Sequence, residues 1–149
     1  MGKVGTVHHV GLTVRDLDRS LAFYELMFGV KPTFVVDAEG EQISKALGVD
    51  RAKLRFTFLQ FGDSVVELLT YDNPRDEEYA KRNCDVGAAH VCIHVDDIWA
   101  AYEDFRSKGA EFYSEPFHID DGPLAGCSFV YLRDPDGITL ELFQAASGG

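Results

Sequence analysis

Two stretches of this 149-residue chain carry the same pattern, which indicates that one unit has been duplicated. Residues 9–17 read HVGLTVRDL and residues 90–98 read HVCIHVDDI, so each begins with His and passes through Asp into an apolar segment. The repeat places His9 and His90 at equivalent positions. Because there are only two copies, the pattern indicates a duplicated domain and not a solenoid.

Each copy also contains a carboxylate that follows an apolar run. Glu67 is followed by two leucines, and Glu141 is followed by Leu142 and Phe143. The spacing from His to Glu is longer in the first half, and the extra residues fit in a loop. A twofold arrangement of imidazole and carboxylate side chains is a natural way to build one metal site.

Composition limits the class of protein. An apolar content of 46% is enough for one compact domain or two small halves that share an interface. The net charge of −11 argues against nucleic acid and anionic membranes as partners. The three cysteines fit no disulfide framework or zinc pattern, and Cys92 is expected to pack as a small apolar residue. No signal-like or membrane-spanning apolar run is present, so we expect a cytoplasmic location.

The first half predicts the element order β-α-β-β-β. A strand at residues 7–14 precedes a helix that Asp16 and Asp18 can cap and Gly29 can end. A second strand is predicted at residues 31–36, and residues 53–61 and 64–71 predict a hairpin. Apolar side chains of the first helix, and of a short helix within residues 37–51 that Gly48 would end, are expected to face inward: Leu17, Leu21, Tyr24 and Phe28; Ile43, Ala46 and Leu47.

The second half predicts the same order. A strand at residues 90–95 leads to a helix that Asp97 can cap, with Gly109 at its end. Its apolar stripe falls at helical spacing, on Ile98, Ala101, Tyr102 and Phe105. A short strand at 111–113, a loop at 116–126 and a hairpin of residues 128–133 and 138–144 around DPDG follow. We therefore expect a first module at about 5–71, a linker at about 72–87 and a second module at about 88–145.

Strand alternation predicts which side chains line a cavity. His9 shares its face with Gly11 and Thr13, and His90 shares its face with Cys92 and His94. A carboxylate on such a face is costly to bury unpaired, and a cation offsets that cost. Two imidazoles and two carboxylates suit Zn, Ni, Co, Mn or Fe, whereas calcium prefers all-oxygen sites.

The other histidines are assigned less central places. His8 aligns with Ala89 of the second copy and is expected on the opposite side of the strand from His9. His94 is expected either to line the pocket or to be packed or solvated, and His118 is expected to be exposed in a loop.

The motifs together resemble the vicinal oxygen chelate superfamily, the group of glyoxalase I, bleomycin-resistance proteins and extradiol dioxygenases. The resemblance covers nearly the whole chain: HHVGLTV at 8–14, DLDRSLAFY at 16–24, HV at 90–91, VDDI at 95–98, DPDG at 134–137 and EL at 141–142. It implies an α+β fold of two tandem βαβββ modules that form a cupped mixed sheet around one divalent metal ion. The family's ligand positions correspond to His9, Glu67, His90 and Glu141. Relatives commonly form homodimers, sometimes by exchanging modules.

The resemblance also implies an enzyme that acts on a small molecule by moving a proton next to a metal-bound carbonyl. A fourth ligand at Glu67 is more like bacterial glyoxalase I than like extradiol dioxygenases, which leave that position without a ligand, or methylmalonyl-CoA epimerases, which commonly carry Gln there. A glyoxalase I-like lyase or isomerase, or an epimerase, is therefore expected, with Glu141 or Glu67 leaving the metal to act as catalytic base. An Fe(II)-dependent ring-cleaving dioxygenase and a non-catalytic ligand-binding or resistance protein are the alternatives. No Arg or Lys set identifies the substrate.

Overall fold

The chain divides into two compact units, Met1–Glu77 and Glu78–Gly149, in a computed structural model that describes residues 4–75 and 81–146. Unit 1 contains β1 (Val10–Thr13), α1 (Leu17–Phe28), β2 (Val36–Glu39), α2 (Glu41–Leu47), β3 (Lys53–Phe61) and β4 (Ser64–Asn73). Unit 2 contains β5 (Val91–His94), α3 (Ile98–Ser107), β6 (Glu111–Phe112), β7 (Phe117–His118), β8 (Ser128–Arg133) and β9 (Thr139–Gln144). Part of the predicted linker, residues 76–80, lies outside the described residues. None of the helices in the described ranges is long and apolar enough to cross a membrane.

The two units have the same sheet topology. In unit 1 the strand order is β1-β4-β3-β2, and in unit 2 it is β5-β9-β8-β6, with β7 pairing on β8. The first strand of each unit runs parallel to the last, and the remaining pairs are antiparallel. The duplicated βαβββ arrangement and the α+β class are therefore confirmed.

Each unit's long helix begins at an equivalent aspartate. The Asp16 carboxylate accepts a hydrogen bond from the backbone N–H of Arg19 at 3.0 Å, and that of Asp97 accepts one from Ala100 at 3.0 Å. Both bonds satisfy a first-turn N–H that has no partner within the helix. Gly29, with φ of +69°, ends α1 in the left-handed conformation, which costs glycine little because it has no Cβ.

The helices cover one face of each sheet and leave the other face for the polar residues of interest. Helix α1 packs on β4, and α3 packs on β8 and β9. Alternate strand residues are buried on the helix side, among them Leu12, Leu59, Leu68, Val130, Leu132, Leu140 and Leu142. The helices contribute buried Leu17, Tyr24, Ile98, Tyr102 and Phe105. Glu67 and Glu141 therefore belong to the opposite faces, as strand alternation predicts. His9 and His90 each come just before a strand and contact these carboxylates.

Three local predictions were wrong. The second strand lies at Val36–Glu39 and not at residues 31–36; Pro32, which has no N–H to donate, forms only an isolated bridge with Leu59. The short helix α2 does end at Gly48, but Leu47 is 38% exposed and no residue of the helix is fully buried. The predicted loop at 116–126 contains β7, whose Phe117 lies opposite Phe129 of β8.

Candidate metal centre

Unit 1 brings together two of the four residues that the sequence selects. The Nε2 atom of His9 lies 3.4 Å from Oε2 of Glu67, whose side chain is 21% exposed. Glu67 is on β4, between β1 and β3, and lies opposite Gly11 on β1 and Phe58 on β3. The Phe58 ring packs against the His9 imidazole, with ring centroids 5.3 Å apart. This pair is called half-site 1.

Unit 2 brings together the other two residues in the same way. The Nε2 atom of His90 lies 2.9 Å from Oε2 of Glu141, whose side chain is 12% exposed. Glu141 stands opposite Cys92 on β5 and Tyr131 on β8. The Tyr131 and His90 rings are 5.2 Å apart. This pair is called half-site 2, and its strand register reproduces that of half-site 1.

The residues flanking the two carboxylates differ in a way that has chemical consequences. Gly11 leaves room for the Glu67 carboxylate, because a Cβ at Gly11 would meet Oε2 of Glu67 at 3.1 Å. At the matching position of unit 2, Cys92 lies opposite Glu141 and carries a thiol where unit 1 has no side chain. Glu67 is therefore flanked by a glycine and an apolar ring, and Glu141 by two groups that can donate a hydrogen bond.

The negative charge of Glu141 contributes to a raised pKa in both of its cross-strand neighbours, Cys92 and Tyr131. Desolvation, the nearby negative charge and a hydrogen bond to Glu141 raise the pKa of the Cys92 thiol to about 11. Desolvation, followed by the charges of Glu141 and Cys92, raises the pKa of Tyr131 as well. The prediction that Cys92 packs as a small apolar residue is wrong, because Cys92 is exposed on the face that carries Glu141.

His8 is the residue whose place the sequence prediction missed. Its Nδ1 lies 2.8 Å from Nδ1 of His9, and its ring centroid lies 6.0 Å from that of Phe58. It is therefore next to half-site 1 and not on the opposite side. Strand alternation does not apply to His8 because β1 begins only at Val10. The sequence feature that could have placed His8 beside His9 is that the two histidines are adjacent in the chain.

The remaining two histidines are exposed. His94 is on β5, four residues after His90 and on the same strand face. His118 is exposed as predicted, although it belongs to the short strand β7, and its Nδ1 lies 3.0 Å from the hydroxyl oxygen of Ser128.

The donor atoms of both half-sites suit a borderline divalent metal ion. Each half-site supplies one imidazole nitrogen and one carboxylate oxygen, which are ligands for Zn, Ni, Co, Mn or Fe. Among residues 4–75 and 81–146, no group of three or more His, Cys, Asp or Glu side chains that could hold a metal ion is found. Each unit by itself thus brings together one imidazole and one carboxylate, and a partly buried carboxylate is a group that a cation would stabilise.

Comparison with known proteins gives a consistent picture. The family model for the Glyoxalase/Bleomycin resistance protein/Dioxygenase superfamily matches residues 6–142. The chain is 38% identical over 147 residues to the 2-epi-5-epi-valiolone epimerase of an Actinomyces species, and the match covers 95% of this chain and 80% of that protein. It is 34% identical over 142 residues to lactoylglutathione lyase GLX1 of Arabidopsis thaliana, covering 91% of this chain but only 43% of that relative. The crystal structure of a glyoxalase family protein from Bacillus cereus has the same fold, with a TM-score of 0.82, 21% identity and coverage of 98% and 97% of the two chains.

Proposed function

We propose that this chain, which belongs to the Glyoxalase/Bleomycin resistance protein/Dioxygenase superfamily, is a metal-dependent epimerase. It would move a proton at a carbon next to a carbonyl. The observation that carries the proposal is the His–Glu pair repeated in equivalent register, at 3.4 Å in half-site 1 and 2.9 Å in half-site 2. The enzymatic relatives support it, since one is an epimerase and another a lactoylglutathione lyase.

In the proposed site, one divalent metal ion is held by His9, Glu67, His90 and Glu141. The four ligands come from one chain, or from two chains in a homodimer that exchanges units. When bound, such an ion polarises a substrate carbonyl oxygen and so makes the adjacent C–H proton easier to remove. Ni, Co, Zn, Mn and Fe are all compatible with the donor set.

The proton itself is moved by the carboxylates. An epimerase removes a proton from one face of a carbon and returns one to the other face, so it benefits from two acid–base groups. Glu67 and Glu141 are chemically matched for these two roles. Their surroundings differ: Glu67 lies against Gly11, where a Cβ would meet its Oε2 at 3.1 Å, whereas Glu141 is flanked by Cys92 and Tyr131.

The substrate named for the Actinomyces relative, 2-epi-5-epi-valiolone, is the first compound to test. A glyoxalase I-like lyase is the second candidate, supported by the lactoylglutathione lyase relative, and its probe is the hemithioacetal of methylglyoxal and glutathione. An acyl-CoA thioester completes the panel, because its α-proton is also acidified by a carbonyl. The epimerase and lyase reactions both begin by removing the proton next to the carbonyl: epimerisation returns a proton to the same carbon, and the lyase-type reaction returns it to the neighbouring carbon.

The test is incorporation of deuterium from D₂O at the carbon next to the carbonyl, followed by NMR on protein of known metal content. Glu67→Gln and Glu141→Gln are each expected to slow exchange about 10²- to 10⁴-fold, the usual contribution of a general acid or base. Glu103→Gln, on the exposed side of α3, serves as the matched control and should exchange like the unmodified protein.

Three results would contradict the proposal. Metal-loaded protein that exchanges no proton on any of the three substrates would exclude this chemistry. Oxygen consumption with iron and a catechol, retained in Glu67→Ala, would favour the ring-cleaving dioxygenase. Protein that binds no metal, and gains no thermal stability from one, would favour a non-catalytic binding protein.

A further inference from the structure

The strand face that carries Glu141 also carries a cation that has no counterpart in unit 1. Tyr131 and Arg133 are two residues apart on β8 and therefore project from the same face. Tyr131 is paired with Glu141, and Arg133 is paired with Thr139, two residues before Glu141 on β9. The Cα atom of Arg133 is thus about 7 Å along the strand from that of Tyr131, the residue opposite Glu141.

The guanidinium is held in place by a chain of contacts within unit 2. The Cζ atom of Arg133 lies 4.7 Å from the centroid of the Tyr113 ring. The Tyr113 hydroxyl lies 3.2 Å from Oγ1 of Thr139, and that oxygen donates a hydrogen bond to Oδ1 of Asn83 at 2.6 Å. Because the single hydroxyl hydrogen of Thr139 goes to Asn83, the Tyr113 hydroxyl donates to Thr139. The ring beneath the guanidinium is therefore fixed.

This arrangement leaves the hydrogen-bond donors of Arg133 available. Stacking on an aromatic ring uses the flat face of a guanidinium, and its N–H groups stay in the plane. Within residues 81–146, Arg133 takes part in no ion pair, although Glu111 is its cross-strand neighbour on β6. Arg106 offers a contrast: it lies 5.9 Å over the Tyr102 ring but pairs with Glu103 at 3.6 Å.

On the other side of Glu141 the same face is apolar. Phe143 follows Glu141 by two residues and is paired with Phe129, which in turn is paired with Phe117. The rings of Phe117 and Phe129 are 5.7 Å apart, and Phe117 is 59% exposed. The face therefore runs from a cation, through the Glu141 carboxylate, to an aromatic surface.

We propose, building on the proposed function, that Arg133 is a specificity-determining residue that binds a carboxylate or phosphate group of the substrate. The substrate class is a carbonyl compound whose anionic group is a few bonds from the carbon that exchanges its proton. A guanidinium binds either anion through two parallel hydrogen bonds, and a stacked one is already oriented for it. The equivalent residue of unit 1, Gln60, donates instead to the carbonyl oxygens of Gly62 and Ser64 in its own hairpin.

The binding test does not require turnover. Inorganic phosphate and malonate are titrated separately into the full chain while the Arg Nε–Hε NMR signals are followed. At least one anion should shift the Arg133 signal, and Arg133→Met should weaken that binding tenfold or more. Arg106→Met removes a tyrosine-stacked arginine from α3 and should leave the affinity unchanged. The anion that binds more tightly identifies the substrate group.

The kinetic test compares 2-epi-5-epi-valiolone with a phosphate ester of it, and malonyl thioesters with uncharged acyl thioesters. Arg133→Met should raise KM for the anionic substrate of each pair tenfold or more and leave its kcat little changed. KM and kcat for the neutral substrate should also change little. Arg133→Lys should recover part of the lost affinity for the anionic substrate. If neither anion shifts Arg133, or if Arg133→Met binds and turns over both members like the unmodified protein, the proposal is wrong. If anions bind through Arg133 but no substrate exchanges deuterium, the anion site stands and the epimerase proposal fails.

Discussion

His8 and His9 face each other through their Nδ1 atoms, which lie 2.8 Å apart, while Nε2 of His9 faces Glu67 at 3.4 Å. One of the two Nδ1 atoms must carry a hydrogen and the other must accept it. If His9 binds metal through Nε2, its Nδ1 carries the hydrogen and His8 is the acceptor. Such a bond to the far nitrogen fixes the tautomer and ring orientation of a metal-binding histidine.

His8→Ala should therefore weaken metal binding by about 10- to 100-fold, the usual cost of losing a partner behind a ligand. The fold should tolerate the change, because Ala89 occupies the equivalent position in the second copy. Calorimetric titration of Ni²⁺ or Zn²⁺ into metal-free protein measures the effect. His118→Ala, which removes an exposed histidine of β7, is the control. Equal affinities for His8→Ala and the control would show that His8 does not support the site.

The sequence predicts the fold well where the signals are local and repeated. Two aspartate caps, the DPDG turn and the alternation of both His-bearing strands identify two βαβββ units. The second strand is misplaced because Pro32 interrupts pairing, so regular pairing with β3 begins only at Val36.

Part of the candidate site can also be predicted from the sequence. The repeat selects the four His and Glu residues, and strand alternation places Glu67 and Glu141 on the faces away from the buried residues. The sequence could not place His8, which precedes β1, and it could not show that Arg133 is stacked on Tyr113. Tyr113 comes just after β6, and its position under Arg133 depends on a strand pairing remote in sequence.

Gly11→Ala tests whether the close approach of the Glu67 carboxylate to Gly11 matters. The new Cβ would meet Oε2 of Glu67 at 3.1 Å, closer than most such contacts, so the carboxylate would have to shift and its 3.4 Å contact with Nε2 of His9 would change. We expect metal affinity and deuterium exchange to fall at least tenfold while the circular dichroism spectrum is retained. Gly5→Ala is the matched control, because a Cβ there would meet nothing within 4 Å. Unchanged metal binding in Gly11→Ala would mean that Glu67 has room to adjust.

Cys92 should react slowly with iodoacetamide in the metal-free protein. Desolvation and Glu141 raise its pKa from 9.0 to about 11, so at pH 8 its thiolate population is roughly a hundredfold below that of an ordinary cysteine. Because the pKa is raised, the rate should climb about tenfold per pH unit until pH approaches 11. Glu141→Gln removes the negative charge and should accelerate the reaction. Mass spectrometry of modified peptides compares Cys92 with the exposed Cys84; equal rates at pH 8 would contradict the prediction.

The two helix caps should contribute separately to the stability of their units. Asp16→Ala and Asp97→Ala each remove a carboxylate that accepts a first-turn backbone hydrogen bond, at a cost of about 1 kcal/mol. Urea unfolding followed by circular dichroism measures this loss, with exposed Asp121→Ala as the control. If the units unfold independently, each variant lowers the midpoint of one transition only; if they unfold together, both variants shift a single transition. Midpoints that match the control in both variants would show that these bonds add nothing to stability.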